Sequence, residues 1–334
     1  LFRLVENELK KTLLRKRLWV VLAILAILTV LFGYGEQYRA DRMEHRITRR
    51  LGENQEIDQM TLLGQQISDI KRQLDNPYIP EQRRATLAVQ VEQLEYYLER
   101  GINPFTPSAA GFTKTYMENL VSLFLPLLII ILACDMVSVE FTEGSVKLLL
   151  TTPVPRWKVL MSKYMALLIM TTIVVVATGI LSIVVSTYYF GFNGFTMPIT
   201  TGFKIIEGSL DTSFVQNIPQ WQYLIMVYGL SWFVAISIAT ITFLVSVIVK
   251  SSAVAMGVMM SLLVGGTFLG FFASDWAIVK YLFMVNMKLP DYLSGAMQPI
   301  EGMTLAFSVA ILAIWTLVSF VLSFVIFTKQ DVLV

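Results

Sequence analysis

Six long apolar runs divide the chain, at residues 18–35, 116–137, 164–190, 221–249, 253–273 and 303–327. Each approaches or exceeds the 20 or so residues that carry a helix across a bilayer. None shows the in/out alternation of a barrel strand, so the pattern predicts six transmembrane helices. The first run leads into a long polar segment with no small-residue cleavage site, so it is read as a span and not as a signal peptide.

A second pattern lies in the one large polar insert, residues 36–115. Met60, Leu63, Ile67, Ile70 and Leu74 recur at spacings of three and four, and Leu87, Val91, Leu94 and Leu98 do the same. This heptad-type seam predicts two helices packed side by side. Pro77 and Pro80 interrupt the pattern between them, and Pro80-Glu81 suits the first positions of the second helix. The expectation is an antiparallel helical hairpin, 53–75 against 80–100. Such a hairpin serves equally as a stalk or as a lid or docking arm for an extracytoplasmic partner.

At the start, Leu1, Val5, Leu9 and Leu13 mark one face of residues 1–17, with Phe2 and Leu14 beside it and lysines and arginines around the rest. That is the pattern of an amphipathic helix lying in the membrane interface.

Charge sets the orientation. Twelve lysines and arginines (Arg3, Lys10, Lys11, Arg15, Lys16, Arg17, Lys147, Arg156, Lys158, Lys163, Lys250 and Lys329) fall on one side of the six runs. Lys204, Lys280 and Lys288 occupy the short loops of the other. The positive-inside rule then makes both termini cytoplasmic and places 36–115 outside, since long loops cross largely regardless of charge. Composition agrees with a membrane protein: 55% hydrophobic, 15% charged and a mean hydropathy of +0.65. Average soluble chains carry about 25% charged residues. A net charge of +2, one histidine (His45) and one cysteine (Cys134) leave no broad basic surface for nucleic acid, no zinc constellation and no internal disulfide.

The segment 138–163 between the second and third runs is the most informative. Its sequence includes Glu140-Phe141-Thr142-Glu143-Gly144-Ser145, then Leu148-Leu149-Leu150, Pro153, Pro155-Arg156 and finally Lys163. A short apolar ridge between charged flanks, outside any span, invites a partner protein. Here the chain resembles the permease subunits of ABC-2 type ABC transporters. Their first cytoplasmic loop reads Glu, spacer, Glu-Gly-Ser/Thr, a leucine-rich stretch, a Pro with a nearby Arg, and a closing Lys. The similarity in topology extends over nearly the whole chain, and the insert at 36–115 looks like the first extracytoplasmic insert of one branch of the family.

The resemblance implies an all-α polytopic membrane protein of the type V (ABCG-like) exporter fold, in the bacterial cytoplasmic membrane. It implies a coupling role for Glu140, Glu143, Gly144, Ser145, Leu148, Leu149, Leu150, Pro153, Arg156 and Lys163, with a second contact at the turn 250–252 (Lys250, Ser251). It implies two copies of an ABC ATP-binding subunit, which would hold ATP and Mg, and a second permease copy or paralogue. It also implies re-entrant helices in the outer segment 274–302; the other outer loop is 191–220, and 328–334 form a cytoplasmic tail.

The chain has no phosphate-binding G-x-x-x-x-G-K-[ST] loop and no credible Ser/His/Asp arrangement. It is therefore expected to be a transport subunit, with ATP hydrolysis in a partner chain. Asp135 near the end of the second run and the hydroxyls Thr171, Thr178, Ser237 and Thr240 are the candidates for a translocation path. Hydroxyls in spans serve interhelical packing equally well. An uncharged, aromatic-rich interior suits an amphipathic or apolar cargo, such as an antimicrobial peptide, a drug or a lipid-linked molecule. Two other classes remain open at this point. A membrane sensor or scaffold would use the hairpin as its receptor, and a secondary transporter would need broken helices or charges at mid-membrane.

Overall fold

The computed structural model describes residues 1–334 except 52–58, 80, 102–106, 143–153, 207–208, 212, 273–275, 297–299, 301 and 330–334. The described residues are mostly helical. Helix α1 spans Phe2–Leu14, and Lys16 takes a left-handed conformation (φ 59°) that turns the chain into α2, Arg17–Leu51. The first apolar run thus occupies only the beginning of a helix about 52 Å long. Nothing after Gly35 breaks it, because the next residues favour helix as strongly as the apolar ones do.

Helices α3 (Gln59–Leu74) and α4 (Glu81–Glu99) pack through Leu63, Ile67, Val91 and Leu94. Lys71 and Glu95 pair across them at 2.6 Å. Leu98, expected on this seam, is exposed, and Tyr97 packs against the small core instead.

The second apolar run begins earlier than the sequence pattern suggests and is bent. Helix α5 covers Ala109–Ser122, α6 Phe124–Ala133 and α7 Asp135–Thr142. The axis turns by 57° between α5 and the helical stretch after it. Pro126 explains the turn: it has no N–H for the Ser122 carbonyl four residues back, and its ring crowds that carbonyl.

Helix α8 runs unbroken over Arg156–Phe190, so Lys163 lies within it and not in the loop. The segment 191–220, expected only as a loop, contains two antiparallel ribbons. Strand β1 (Pro198–Thr201) pairs with β4 (Gln216–Pro219), and β2 (Lys204–Ile206) with β3 (Ser209–Asp211). Gly202 between β1 and β2 has φ +93°, and a Cβ there would lie 2.4 Å from the Phe214 carbonyl oxygen. Helices α9 (Gln220–Ile248) and α10 (Ser252–Phe272) follow, then 3₁₀ turns at Val279–Tyr281 and Phe283–Asn286, the short α11 (Asp291–Ser294), and α12 (Leu305–Lys329).

Among the described residues five helices are long and apolar enough to cross a membrane, six if the bent pair is one span. Helix α9 is the central one, packed by α5, α6, α8 and α12. Hydroxyls link it to α8 along much of its length: Tyr164 with Thr240 (3.1 Å), Trp232 to Thr172 (3.0 Å) and Ser182 with Tyr228 (2.9 Å). The outward rows are apolar, such as Ile173, Val176, Ile180 and Val184 on α8 and Ile314, Leu317 and Val321 on α12. Rows this long and exposed suit lipid and would be a liability in water.

Candidate functional site

At one end of the bundle, where α1, α2, α7 and α8 meet, ionised groups converge on Lys163. Its ammonium donates to Glu140 Oε1 at 2.5 Å and to Glu8 Oε2 at 2.9 Å. Lys11 reaches the same Glu140 oxygen at 2.6 Å. The Lys163 side chain is only 1% exposed and that of Glu140 5%, whereas Lys11 keeps 33% of its surface in contact with solvent. Two carboxylates and two ammonium groups balance. A lone buried ammonium would cost several kcal/mol to desolvate, so the three helices that supply these groups are held in one register.

Local folding places each group. Lys163 is two turns inside α8, which opens at Pro155-Arg156, where proline is favoured at a helix start. Glu140 lies near the end of α7, inside the segment 138–163. On α1 the face turned inward is Val5, Glu8, Leu9 and Thr12, while Leu1, Phe2, Leu13 and Leu14 are exposed. The apolar stripe expected from the sequence is therefore split. Val5 and Leu9 pack on the protein, and Leu1 and Leu13 join Phe2 and Leu14 on the open side.

Asp135 belongs to this end of the molecule. It pairs with Arg17 at the start of α2 and accepts from the Ser252 hydroxyl at the start of α10. Together with Glu8, Lys11, Thr12, Arg15, Arg17, Glu140 and Lys163 it lines one small cleft. The sequence reading set Asp135 beside the hydroxyls of a translocation path; in the structure its partners are Arg17 and the Ser252 hydroxyl at this end of the bundle.

One hydroxyl from α9, that of Ser246, bonds the backbone around Cys134: it donates to the Cys134 carbonyl at 2.6 Å and accepts from the N–H groups of Val137 (3.3 Å) and Ser138 (3.1 Å). It satisfies backbone groups that lipid could not. Cys134 itself keeps helical dihedral angles (φ −56°, ψ −31°) and its N–H bonds the Ile130 carbonyl, so α7 continues the course of α6. Helix α7 is pinned to α9 at its beginning and to α8 and α1 near its end.

Of the expected coupling residues, the structure brings Glu140 and Lys163 into contact. Arg156 opens α8. Lys250 and Ser251 form the turn before α10, next to the Ser252–Asp135 contact, and the Ser251 carbonyl accepts from Ala255 N–H at 3.0 Å. Glu143, Gly144, Ser145, Leu148, Leu149, Leu150 and Pro153 lie outside the described residues. Thr171, Thr178, Ser237 and Thr240 are all buried in α8 and α9. Thr178, Ser237 and Thr240 donate to carbonyls one turn back, at Val174, Phe233 and Ile236. Thr171 Oγ1 is buried without a hydrogen-bond partner. Glu118, near the far end of the bent span, accepts from the Tyr223 hydroxyl at 3.1 Å.

Sequence reasoning missed Glu8 and Lys11 as partners of the coupling residues. The available signal was Glu8 itself, three residues after Val5 and next to Leu9, on the side of the helix that carries the apolar stripe, whereas Glu6 lies on the exposed side and pairs with Lys10. Ser246 and Ser252 carried no comparable signal. Among the described residues no group of His, Cys, Asp and Glu could hold a metal ion.

The chain is 28% identical to the uncharacterized protein YhcI of Bacillus subtilis (strain 168) over 347 residues, covering 99% of each chain. It is 27% identical to the uncharacterized membrane protein YdbK of the same organism over 216 residues, covering 64% of this chain and 79% of that protein. The family described as ABC-2 family transporter protein matches residues 2–332. A polytopic helical chain, matched along almost its whole length, belongs to the ABC-2 family of transporter proteins, the membrane permeases that associate with the ATP-binding subunits of ABC transporters.

Proposed function

We propose that this chain is the permease subunit of an ATP-driven exporter in the bacterial cytoplasmic membrane. It pairs with a second copy or a paralogue and couples to two ATP-binding subunits that hold ATP and Mg. Both termini and the loop 143–153 face the cytoplasm, and residues 36–115 lie outside. The cargo is amphipathic or apolar, such as an antimicrobial peptide, a drug or a lipid-linked molecule, because the cores of the spans offer hydroxyls and aromatic rings but few charges.

The observation that carries this reading is the ion-pair cluster on Lys163. The loop that would meet the ATP-binding subunit connects α7 to α8, and the cluster fastens these helices together beside it. A push on the loop therefore moves α7, α8 and α1 as one body and does not merely deform a hinge. Ser246 passes that motion from α7 to α9. Asp135 passes it to the starts of α2 and α10. Closure of the ATP-binding subunits would in this way bias the bundle between inward-open and outward-open states.

The test is purification from the native membrane in mild detergent. A stoichiometric P-loop ATPase should co-purify and be lost on charging the loop with Leu148→Asp and Leu149→Asp, while membrane insertion survives. Purification without an ATPase, or retention of the ATPase and of stimulated hydrolysis in the double variant, would overturn the assignment.

A further inference from the structure

Helix α1 does two things on two faces. Inward, Glu8 bonds Lys163 and Lys11 bonds Glu140. Outward, Phe2 is 82% exposed and Leu14 80%, with Leu13 exposed beside them. Glu8 is the one fully buried residue of this helix, and its inward apolar residues Val5 and Leu9 are half-buried. A helix of this length is marginal on its own. The bundle covers only one side of it, and a second surface must cover the other.

The surroundings identify that surface. The chain turns at Lys16 into α2, where Trp19 is 60% exposed and Val20, Ile27 and Leu31 carry an exposed apolar row onward. The row belongs to a helix long and apolar enough to cross a membrane. The Leu13–Leu14 end of α1 is therefore continuous with a lipid-facing surface, and a tryptophan at the head of such a row belongs at the headgroup level. Charge agrees. Arg3 and Lys16 are exposed on this side, and the exposed carboxylate there, Glu6, is paired with Lys10 at 2.7 Å. Apolar side chains flanked by cations fit the boundary between acyl chains and anionic headgroups.

We propose that anionic phospholipid regulates this permease through α1. Headgroup phosphates pair with Arg3 and Lys16, while Phe2, Leu13, Leu14 and Trp19 enter the boundary. This seats α1 so that Glu8 meets Lys163. In a leaflet without anionic lipid the Glu8–Lys163 bond opens, and the hold of α1 on α8 weakens. The regulation rests on the permease reading above; the lipid contact itself does not.

The experiment places a polarity-sensitive dye at Asn7→Cys, an exposed position of α1 outside the proposed contact; the wild-type protein, whose one cysteine is buried, is the blank. The permease in mild detergent is titrated with short-chain phosphatidylglycerol or phosphatidylcholine. Phosphatidylglycerol should bind more tightly, and Arg3→Gln and Lys16→Gln should each weaken it about fivefold while leaving phosphatidylcholine unchanged. Leu14→Ser should weaken both lipids. Equal affinity for the two lipids, or an affinity for phosphatidylglycerol unmoved by either cation variant, would overturn the contact. A dye response to the ATP-binding subunit and not to lipid would give this face to that subunit and overturn it too. In the complex reconstituted in phosphatidylcholine vesicles, added phosphatidylglycerol should raise ATP turnover severalfold. Glu8→Gln should abolish that rise although phosphatidylglycerol still binds. Turnover indifferent to phosphatidylglycerol, or a rise that persists in Glu8→Gln, would overturn the regulation. A missing ATPase partner would be the failure of the permease reading instead, and the titration of the permease alone still decides the contact.

Discussion

Replacing Lys163 with methionine is the sharpest perturbation of the coupling end. Methionine keeps the length of the lysine stem and removes only the charge. Glu8 would then lose its ammonium partner, and Glu140 would keep only Lys11 of the two ammonium groups that bond it, with Lys11 one-third exposed. Removing one partner from a buried ion pair typically costs about 3–5 kcal/mol, because the other charge stays desolvated. Glu140→Gln should cost less, about 1–3 kcal/mol, the range for a lost charged hydrogen bond. In that variant Lys163 keeps Glu8, and Lys11 can turn to water. The double variant Lys163→Met/Glu140→Gln leaves Glu8 beside Lys11 on the same helix and should be more stable than Lys163→Met alone. A double-mutant cycle of reversible unfolding in mixed micelles measures this non-additivity. The ATP turnover of the complex, measured beside it, should stay low in the double variant even where stability recovers, because α7 and α8 are no longer fastened. A loss below about 1 kcal/mol for Lys163→Met, the size of a surface pair, would refute the argument, as would strictly additive effects.

Ser246→Ala should destabilise the protein by about 1–3 kcal/mol, since the Val137 and Ser138 N–H groups lose the hydroxyl they share while the Cys134 carbonyl keeps that of Ser138, and unfolding in the same micelles measures it. The α8–α9 hydroxyl ladder should behave differently. Thr240→Val and Tyr228→Phe should each cost only about 0.6 kcal/mol, because the helices unfolded in lipid find other partners, and the two losses should add. Asp291, outside the spans, is held above its ordinary carboxylate value of 3.8 by burial, with Lys288 partly opposing. Its protonated form is the one the fold favours, so its stabilising contribution is complete below that value and is lost as pH rises through the raised folded one. Asp291→Asn should flatten stability against pH in that window, as read from unfolding curves at several pH values.

The pattern of apolar runs alone established a polytopic helical membrane protein, because a span is a local property: about 20 apolar residues satisfy their own backbone wherever their neighbours lie. Glu140 and Lys163 stand near the two ends of one short motif, and the structure brings them into contact. The seam of α3 and α4 was legible up to Val91 and Leu94, where periodicity decides the buried face.

Tertiary structure decided the rest. That Glu8 completes the Lys163 cluster depends on α1 folding back beside α8, 155 residues away in sequence. That Asp135 belongs with Arg17 and Ser252 depends on the bend near Pro126 and on the packing that sets α7 against the starts of α2 and α10. No periodicity reports either, because a proline signals a kink but not its direction, and a serine that bonds the backbone of another helix is, in sequence, one hydroxyl among many in the spans. The same holds for Gln93. Its amide has no partner within four residues of sequence, and only the packing of α4 on the Ser294–Gly295 turn gives it two, the carbonyls of those residues. Charge pairs and caps between distant segments are set by where helices meet, and that is a property of the whole bundle and not of any window of the chain.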